Sequence, residues 1–323
     1  MPILAGIDEA GYGPTLGPLV ITAVAVRVPP GDPEPDLWRA LASAVSRGPA
    51  AGGDKIQIAD SKAVFQRAKR DPLAKLEAGV LAALGAAGPV PRTFTALLSR
   101  LTAEGIAPDL ARHPWYAGAD PALPAAASDL RINGHAAALT EAAARAGVEF
   151  ADFRSQVVCE AAFNDLVNLT RNKGSAHSTW TLRLIWNLWS RRRGEGLLLC
   201  LDKQGGRDRY GDLLMSAFPE AELQVLAEGA ESSRYRLTDP GGTMEIRYEV
   251  GGEERHLPTA LASMVCKYVR ELMMEMFNRW WAARVPGLEP TAGYATDAKR
   301  FIAAVSSAAA EAGLPDGLWI RCR

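Results

Sequence analysis

The chain has 323 residues, 48% hydrophobic and 23% charged, with 36 Lys and Arg against 37 Asp and Glu. This is enough chain for one large domain or two small ones, and the near-neutral balance excludes a global field drawing the protein to nucleic acid or to an anionic membrane. Any such contact must come from a local basic surface. Cys159, Cys200, Cys266 and Cys322 lie far apart with no CxxC pair. That argues against a zinc site or disulfide framework and for reduced thiols in a cytoplasm. The start lacks the basic, long-apolar pattern of a signal peptide, and there is no run of about 18 apolar residues, so no membrane span is expected.

In chain order, residues 3–7 and 19–28 read as strands rich in Val, Ile and Ala. Pro29, Pro30, Gly31, Pro33 and Pro35 form the loop that follows. Residues 54–59 read as a short strand, 63–84 as a helix and 92–98 as a strand. The stretch 101–152 is rich in Ala, Pro and Gly and is expected to be an insertion or cap within a single domain of residues 1–323. Helices are expected at 155–169 and 178–192. Residues 197–201 form a continuous apolar run ending at Asp202, the profile of a buried central strand. A short helix at 210–218 is followed by β-rich segments at 222–226, 234–237 and 244–250. Asp239-Pro240-Gly241-Gly242 joins the last two as a hairpin. Helices at 259–284 and 301–312 complete the chain. Strands first, then strands alternating with helices, indicate an α/β layer fold with a mixed sheet.

Carboxylates stand where apolar runs end: Asp8-Glu9, Asp60, Asp202, and the set Glu231, Glu253 and Glu254. A buried acid pair is costly unless something offsets its charge. Few histidines and many acids select hard cations such as Mg²⁺ or Mn²⁺ over zinc. Two such ions roughly 4 Å apart activate water and stabilise the leaving oxygen of a phosphodiester. Adjacent strand residues face opposite sides, so Asp8 and Glu9 are expected to reach one metal pair only if the strand ends or bends there. Gly11-Tyr12-Gly13 is not a dinucleotide fingerprint: the spacing to Gly17 is wrong, Pro14 and Pro18 interrupt the helix, and the acids would repel a pyrophosphate. Its backbone groups instead suit a ribose hydroxyl, which both donates and accepts.

Gly6-Ile7-Asp8-Glu9-Ala10-Gly11-Tyr12-Gly13-Pro14 resembles the opening of ribonuclease HII, Gly-Ile-Asp-Glu-Ala-Gly-Arg-Gly-Pro. Asp60-Ser61-Lys62 resembles that family's Asp-Ser-Lys motif, and Leu199-Cys200-Leu201-Asp202 its strand with the third metal acid. Ala262-Ser263-Met264-Val265-Cys266-Lys267 resembles the opening of its Ala-Ser-Ile helix, and Gly293-Tyr294-Ala295-Thr296 its Gly-Tyr-Gly-Thr. The five motifs occur in the family's order. The resemblance implies a type 2 ribonuclease H: an RNase H-like mixed sheet flanked by helices, with the inserted region and an extra β-hairpin. It also implies Mg²⁺- or Mn²⁺-dependent cleavage of RNA in RNA/DNA hybrids or at ribonucleotides embedded in duplex DNA, leaving 5′-phosphate and 3′-hydroxyl.

Carried over, Asp8, Glu9 and Asp202 are expected metal ligands and catalytic acids. The fourth is expected to be Glu253, since Glu253-Glu254-Arg255-His256 resembles the Glu-Ser-Lys-His of ribonuclease HIII; Glu231 is the alternative. Gly11, Tyr12, Gly13, Lys62, Lys267 and Tyr294 are the expected substrate contacts. The bland alternatives are solvated lysines and a half-buried packing tyrosine. Tyr12 replaces the family's Arg and removes its phosphate contact, and Lys299 and Arg300 stand where HII presents a His. Arg191, Arg192, Arg193, Lys203, Arg207 and Arg209 form either a basic strip beside Asp202 or an ordinary exposed helix end. His113, His135 and His177 show no paired ligand spacing, and His256 near Glu253 is expected to be structural. The rival reading is a non-catalytic or altered-specificity nucleic-acid-binding protein that keeps the fold.

Overall fold

The two apolar runs that open the chain pair with each other and form the middle of a sheet. The structure, a computed structural model, describes residues 1–49, 55–67, 71–102, 105–204 and 207–322. Its strands in chain order are β1 (Ile3–Ala10), β2 (Leu19–Arg27), β3 (Val45–Ser46), β4 (Ile56–Gln57), β5 (Glu149–Val158), β6 (Leu197–Asp202), β7 (Glu222–Glu228), β8 (Ser232–Asp239) and β9 (Gly242–Glu249). Seven of them form one sheet in the order β5-β2-β1-β6-β9-β8-β7, and β3 pairs with β4. β2 is antiparallel to both β1 and β5, while β6 is parallel to both β1 and β9. This mixed sheet flanked by helices is the α/β layer architecture expected from the sequence. The expected hairpin is present, with Asp239 opposite Gly242, and with β7 it extends the sheet at its far edge.

Both faces of the central strands are covered, which is why they read as continuous apolar runs. Leu4, Val20, Val24 and Val26 face one core, shared with the helix Leu257–Ala282 and the pair Pro72–Ala86 and Asp129–Ala146. Ile3, Ala5, Ile7, Ile21 and Leu199 face the other, with Phe163 of helix Glu160–Thr170 and Trp180, Leu184 and Leu188 of helix Lys173–Arg191. The long helix Leu257–Ala282 starts directly on β1: a Cβ on Gly6 would lie 2.1 Å from the Thr259 backbone nitrogen. Only a residue without a side chain lets strand and helix meet here. Gly6→Ala is therefore expected to destabilise the protein by about 3 kcal/mol, the upper range for overpacking, read as a lower denaturant midpoint.

Three sequence expectations change. Residues 92–98 form no strand; Thr93 caps a helix, Phe94–Leu101, by accepting from the Ala96 N–H at 3.2 Å. Phe94, Leu97, Leu98 and Leu101 are its buried residues, a helical spacing. The expected helix 63–84 is two helices, Ser61–Val64 and Pro72–Ala86, the second opened by Pro72 in its first turn. The expected helix 155–169 begins only at Glu160, because residues 149–158 are β5. A register shift opposite Ala25/Val26 breaks the alternation of β5 and hides its period. Asp54, in the expected strand 54–59, lies outside the described residues; β4 covers Ile56–Gln57.

The segment 101–152 thus contributes the first residues of β5 to the sheet and also holds the helices Ala107–Ala111 and Asp129–Ala146. Buried Glu77 ties part of it down, accepting from the backbone of Ala125, Ala126 and Ala127 at 2.7, 2.6 and 2.6 Å and from Tyr268 Oη at 2.8 Å. Among the described residues no helix is long and apolar enough to cross a membrane.

Candidate metal centre and active site

The ladder between β1 and β6 ends at Ile7 and Leu201, and β6 itself ends one residue later at Asp202. β1 runs on to Ala10, paired only with β2, so Asp8 lies opposite Thr22 and Glu9 opposite Ile21. The strand therefore does not end at the acids, the first of the two alternatives the sequence offered. Its neighbour ends instead, and both acids border the crevice beyond the carboxyl ends of two parallel strands, the usual binding position in open α/β sheets. Asp8 lies on the long-helix side: Ser263 hydrogen-bonds its carboxylate, and the Cys266 thiol donates to its carbonyl at 3.1 Å. Glu9 lies on the other side, with its Oε2 3.8 Å from His177 Nε2.

Past β9 the chain turns at Gly251, whose φ of +69° lies in the left-handed region that glycine tolerates, into a short helix, Gly252–Arg255. Gly252 packs on the end of β6, and its N–H donates to Asp202 Oδ1 at 3.1 Å. That contact sets Glu253 beside Asp202. Glu253 is half-buried, and its Oε2 is buried with no hydrogen-bond partner. Glu231 lies near in the backbone, where its carbonyl accepts from Val250 N at 3.0 Å, but its side chain is exposed. Asp60 caps the helix Ser61–Val64, accepting from Lys62 N at 3.0 Å.

The acids act on one another. Burial, assisted by the charges of Glu253 and Asp202, pushes the Asp8 carboxyl up to about 7 despite the hydrogen bond from Ser263. Burial and the charges of Asp8, Asp202 and Glu253 push Glu9 up to about 8. Burial and the charges of Asp202 and Asp60 also raise Glu253, while Lys62 lowers both Glu9 and Glu253. Three raised carboxylates, one with an orphaned buried oxygen, together with Asp202 would offer an oxygen-only donor set suited to hard divalent cations. Among the described residues, triplets of His, Cys, Asp or Glu donor atoms within 4.8 Å of one another occur at Asp109, His113 and Cys159 and at Cys200, Glu249 and His256, and the four acids are not among them. In the second, His256 and Glu249 already satisfy each other through a 2.6 Å hydrogen bond, in line with a structural His256.

The glycine turn is built rigidly. Gly11 has φ +94°, and a Cβ there would lie 2.3 Å from the Pro18 carbonyl oxygen and 2.8 Å from Arg270 Nε. Arg321 donates from below to the carbonyls of Gly11 and Tyr12. Nothing lies within 4 Å of a Cβ built on Gly13, so that side of the turn is open. Tyr12 packs at 4.8 Å from the His177 ring and is partly buried.

Of the expected substrate contacts, Lys62 is exposed and close enough to the acids to act on Glu9 and Glu253. Tyr294 is exposed, with the Arg270 guanidinium 5.6 Å from its ring. Lys267 is turned elsewhere, with Nζ 2.6 Å from Glu271 Oε1 and 4.5 Å from the Phe65 ring centroid. Most of the basic strip is consumed by ion pairs: Arg191 and Arg192 with Asp152, Arg193 with Asp239, Lys203 with Asp208 and Arg209 with Glu228. Sequence reasoning missed His177, Lys173 and Arg321. A lone histidine and lysine on a helix and an arginine near the C-terminus carry no motif, so only the fold brings them to the turn.

No protein-family model matches the chain, and no curated protein matches it. Solved structures are similar to it. A chain in the PCNA:RNase HII complex from Archaeoglobus fulgidus has TM-score 0.45 and 14% identity, over 99% of this chain and 94% of that one. The ribonuclease H2 from Pyrococcus horikoshii OT3 has TM-score 0.46 and 12% identity, over 98% of this chain and 92% of that one. Bst-RNase HIII in complex with Mn²⁺ has TM-score 0.46 and 14% identity, over 99% of this chain and 66% of that one.

Proposed function

We propose that the chain is a divergent type 2 ribonuclease H, a metal-dependent endonuclease acting on RNA in RNA/DNA hybrids or at ribonucleotides embedded in duplex DNA. Its products carry 5′-phosphate and 3′-hydroxyl ends, and its setting is the cytoplasm. The observation that supports it is that the charges of Asp202 and Glu253 act on both Asp8 and Glu9 beside the open end between β1 and β6, with Glu253 Oε2 buried and unpartnered. These four would hold Mg²⁺ or Mn²⁺, which when bound supply an activated water and neutralise charge at the leaving oxygen. Ser263 orients Asp8, and the Gly252 N–H orients Asp202. His177 is held neutral, its pKa pushed down to about 4 chiefly by burial, so it can accept a hydrogen bond beside Glu9 without adding charge.

The turn Gly11-Tyr12-Gly13 reads the ribose. Its open side at Gly13 admits a sugar edge, and its backbone N–H and C=O groups match a 2′-hydroxyl, which DNA lacks. Lys62 faces the strand's phosphates, and Tyr294 offers a ring to the neighbouring sugar. Lys267, engaged by Glu271, supports the local helix instead.

The test is cleavage, with Mg²⁺ or Mn²⁺, of matched duplexes: all-DNA, single-ribonucleotide and hybrid. Ribonucleotide-dependent nicking with the stated ends supports the reading, and cleavage of all-DNA at the same rate removes it. In the same assay Glu253→Gln is expected to lower kcat by about 10²-fold or more, on the order of 3 kcal/mol, and Glu231→Gln to stay near wild type. The reverse order would make Glu231 the ligand. Tyr12, in place of the family's arginine, favours one rival, a protein that binds hybrids without cutting them. Tight binding with no product would select it.

A further inference from the structure

Beside the glycine turn lies a cavity of about 400 Å³ lined in part by Gly13, Thr15, Lys173, Thr296, Lys299 and Arg321. Its lining holds three cationic side chains and two threonine hydroxyls, and no acid. Arg321 is 2% exposed and forms no ion pair among the described residues. Its guanidinium donates to the carbonyls of Gly11, Tyr12 and Gly17 and lies 3.7 Å from the Phe163 ring centroid, but its buried Nε has no partner. Burial and the charge of Arg270 push it down to about 9, against the opposing pull of buried Glu160, which does not line the cavity. A buried cation facing other cations is unfavourable unless an anion joins them.

A chain of side-chain contacts through two rings links the cavity's Lys173 to Glu9. Lys173 Nζ sits 4.8 Å from the Tyr12 ring centroid, and the other ring packed on Tyr12 is His177, which adjoins Glu9. Lys173 opens the helix Lys173–Arg191, while Thr296 and Lys299 lie in the first turns of Ala295–Glu311. The positive ends of two helix dipoles therefore add to the side-chain charge.

We propose that this cavity is a phosphate subsite that grips the nucleic-acid backbone at a phosphate flanking the one cleaved, with Lys173 and Lys299 supplying the cationic contact that Tyr12 cannot. This assignment rests on the nuclease reading above. Tyr12 offers an aromatic platform on which the Lys173 ammonium is packed. Arg321 fixes the turn and sets the field of the cavity from beneath. Backbone phosphates carry no sequence information, so the subsite positions the strand without selecting bases.

The test compares wild type with the Lys173→Gln/Lys299→Gln double variant. Both positions lie at the surface or half-buried, so the variant is expected to fold. Binding of a fluorescent hybrid is measured by anisotropy in Ca²⁺ across a salt series. Each lost phosphate contact lowers the slope of log K against log salt by about 0.9, so the slope is expected to fall by about one to two. Affinity is expected to fall about 10- to 100-fold at low salt, alike for every sequence, with KM rising more than kcat falls. A second measurement is the melting temperature in inorganic phosphate against chloride at equal ionic strength. Wild type is expected to gain stability in phosphate and the double variant not to. A wild type that cleaves ribonucleotide duplexes while the variant keeps its salt slope and affinity overturns the subsite alone. A wild type that neither binds nor cuts a hybrid overturns the nuclease reading, and the subsite with it.

Discussion

Asp8→Asn is expected to lower kcat on a single-ribonucleotide duplex by about 10³-fold or more, at least about 4 kcal/mol of transition-state stabilisation, and to raise the melting temperature of the metal-free protein at pH 8. The two effects have one cause. Asp8 is pushed up to about 7, chiefly by burial and then by the charges of Glu253 and Asp202. Its anionic form therefore costs free energy in the fold, a cost that a bound cation would offset under the proposed function. Asparagine keeps the shape and accepts the hydrogen bond from Ser263, but it removes the charge on which both metal affinity and repulsion depend. A variant that cuts at the wild-type rate would sink the assignment of Asp8. A variant both inactive and less stable would make Asp8 a packing residue.

The second large effect is a pH dependence that divalent cations reverse. Asp8 and Glu9 have ordinary values of 3.8 and 4.5, and the fold raises them to about 7 and about 8. Between those limits the folded state retains protons that the unfolded chain has released. Stability therefore falls as pH rises through the window, and the loss is complete above about pH 8. Buried Glu160, raised to about 7 by desolvation, acts in the same direction. His177 acts in the opposite one: lowered to about 4, it makes stability rise with pH up to its ordinary 6.5 and adds nothing beyond. The fall should thus be clearest between pH 6.5 and 8 in EDTA. Mg²⁺ or Mn²⁺ at 100 times its dissociation constant is expected to return about 2.7 kcal/mol at pH 8 and far less at pH 5, where protons compete for the same oxygens. Calorimetry across that grid decides it: a metal-free melting temperature flat from pH 6.5 to 8, or an equal response to Mg²⁺ at pH 5 and 8, would count against a cation site at these acids.

Much of the fold is legible in the sequence because its central strands are covered on both sides and announce themselves as apolar runs. Residues 3–7, 19–28 and 197–201 needed no context to be placed. β5 did not announce itself, because its bulge moves Phe153 out of phase with Phe150 and its neighbourhood is rich in Ala and Pro. Phe94–Leu101 was misread because Thr93 is at once a β-former and a helix cap. The four acids were legible as ends of apolar segments. What sets them relative to one another was not: β6 stops one residue after its last pairing with β1, and a glycine N–H reaches Asp202. Lys267 looked like a phosphate ligand from its motif, but Glu271, one helical turn away, holds it.

The brace under the glycine turn comes from residue 321 of 323, while the turn itself is residues 11–13. Ser263 and Glu253 also arrive late in synthesis. A nascent polypeptide thus displays its first two acids long before it can aim them. A truncation that removes Arg321 would leave the carbonyls of Gly11 and Tyr12 without their donor, so the turn beside the first two acids depends on a residue some 310 positions away.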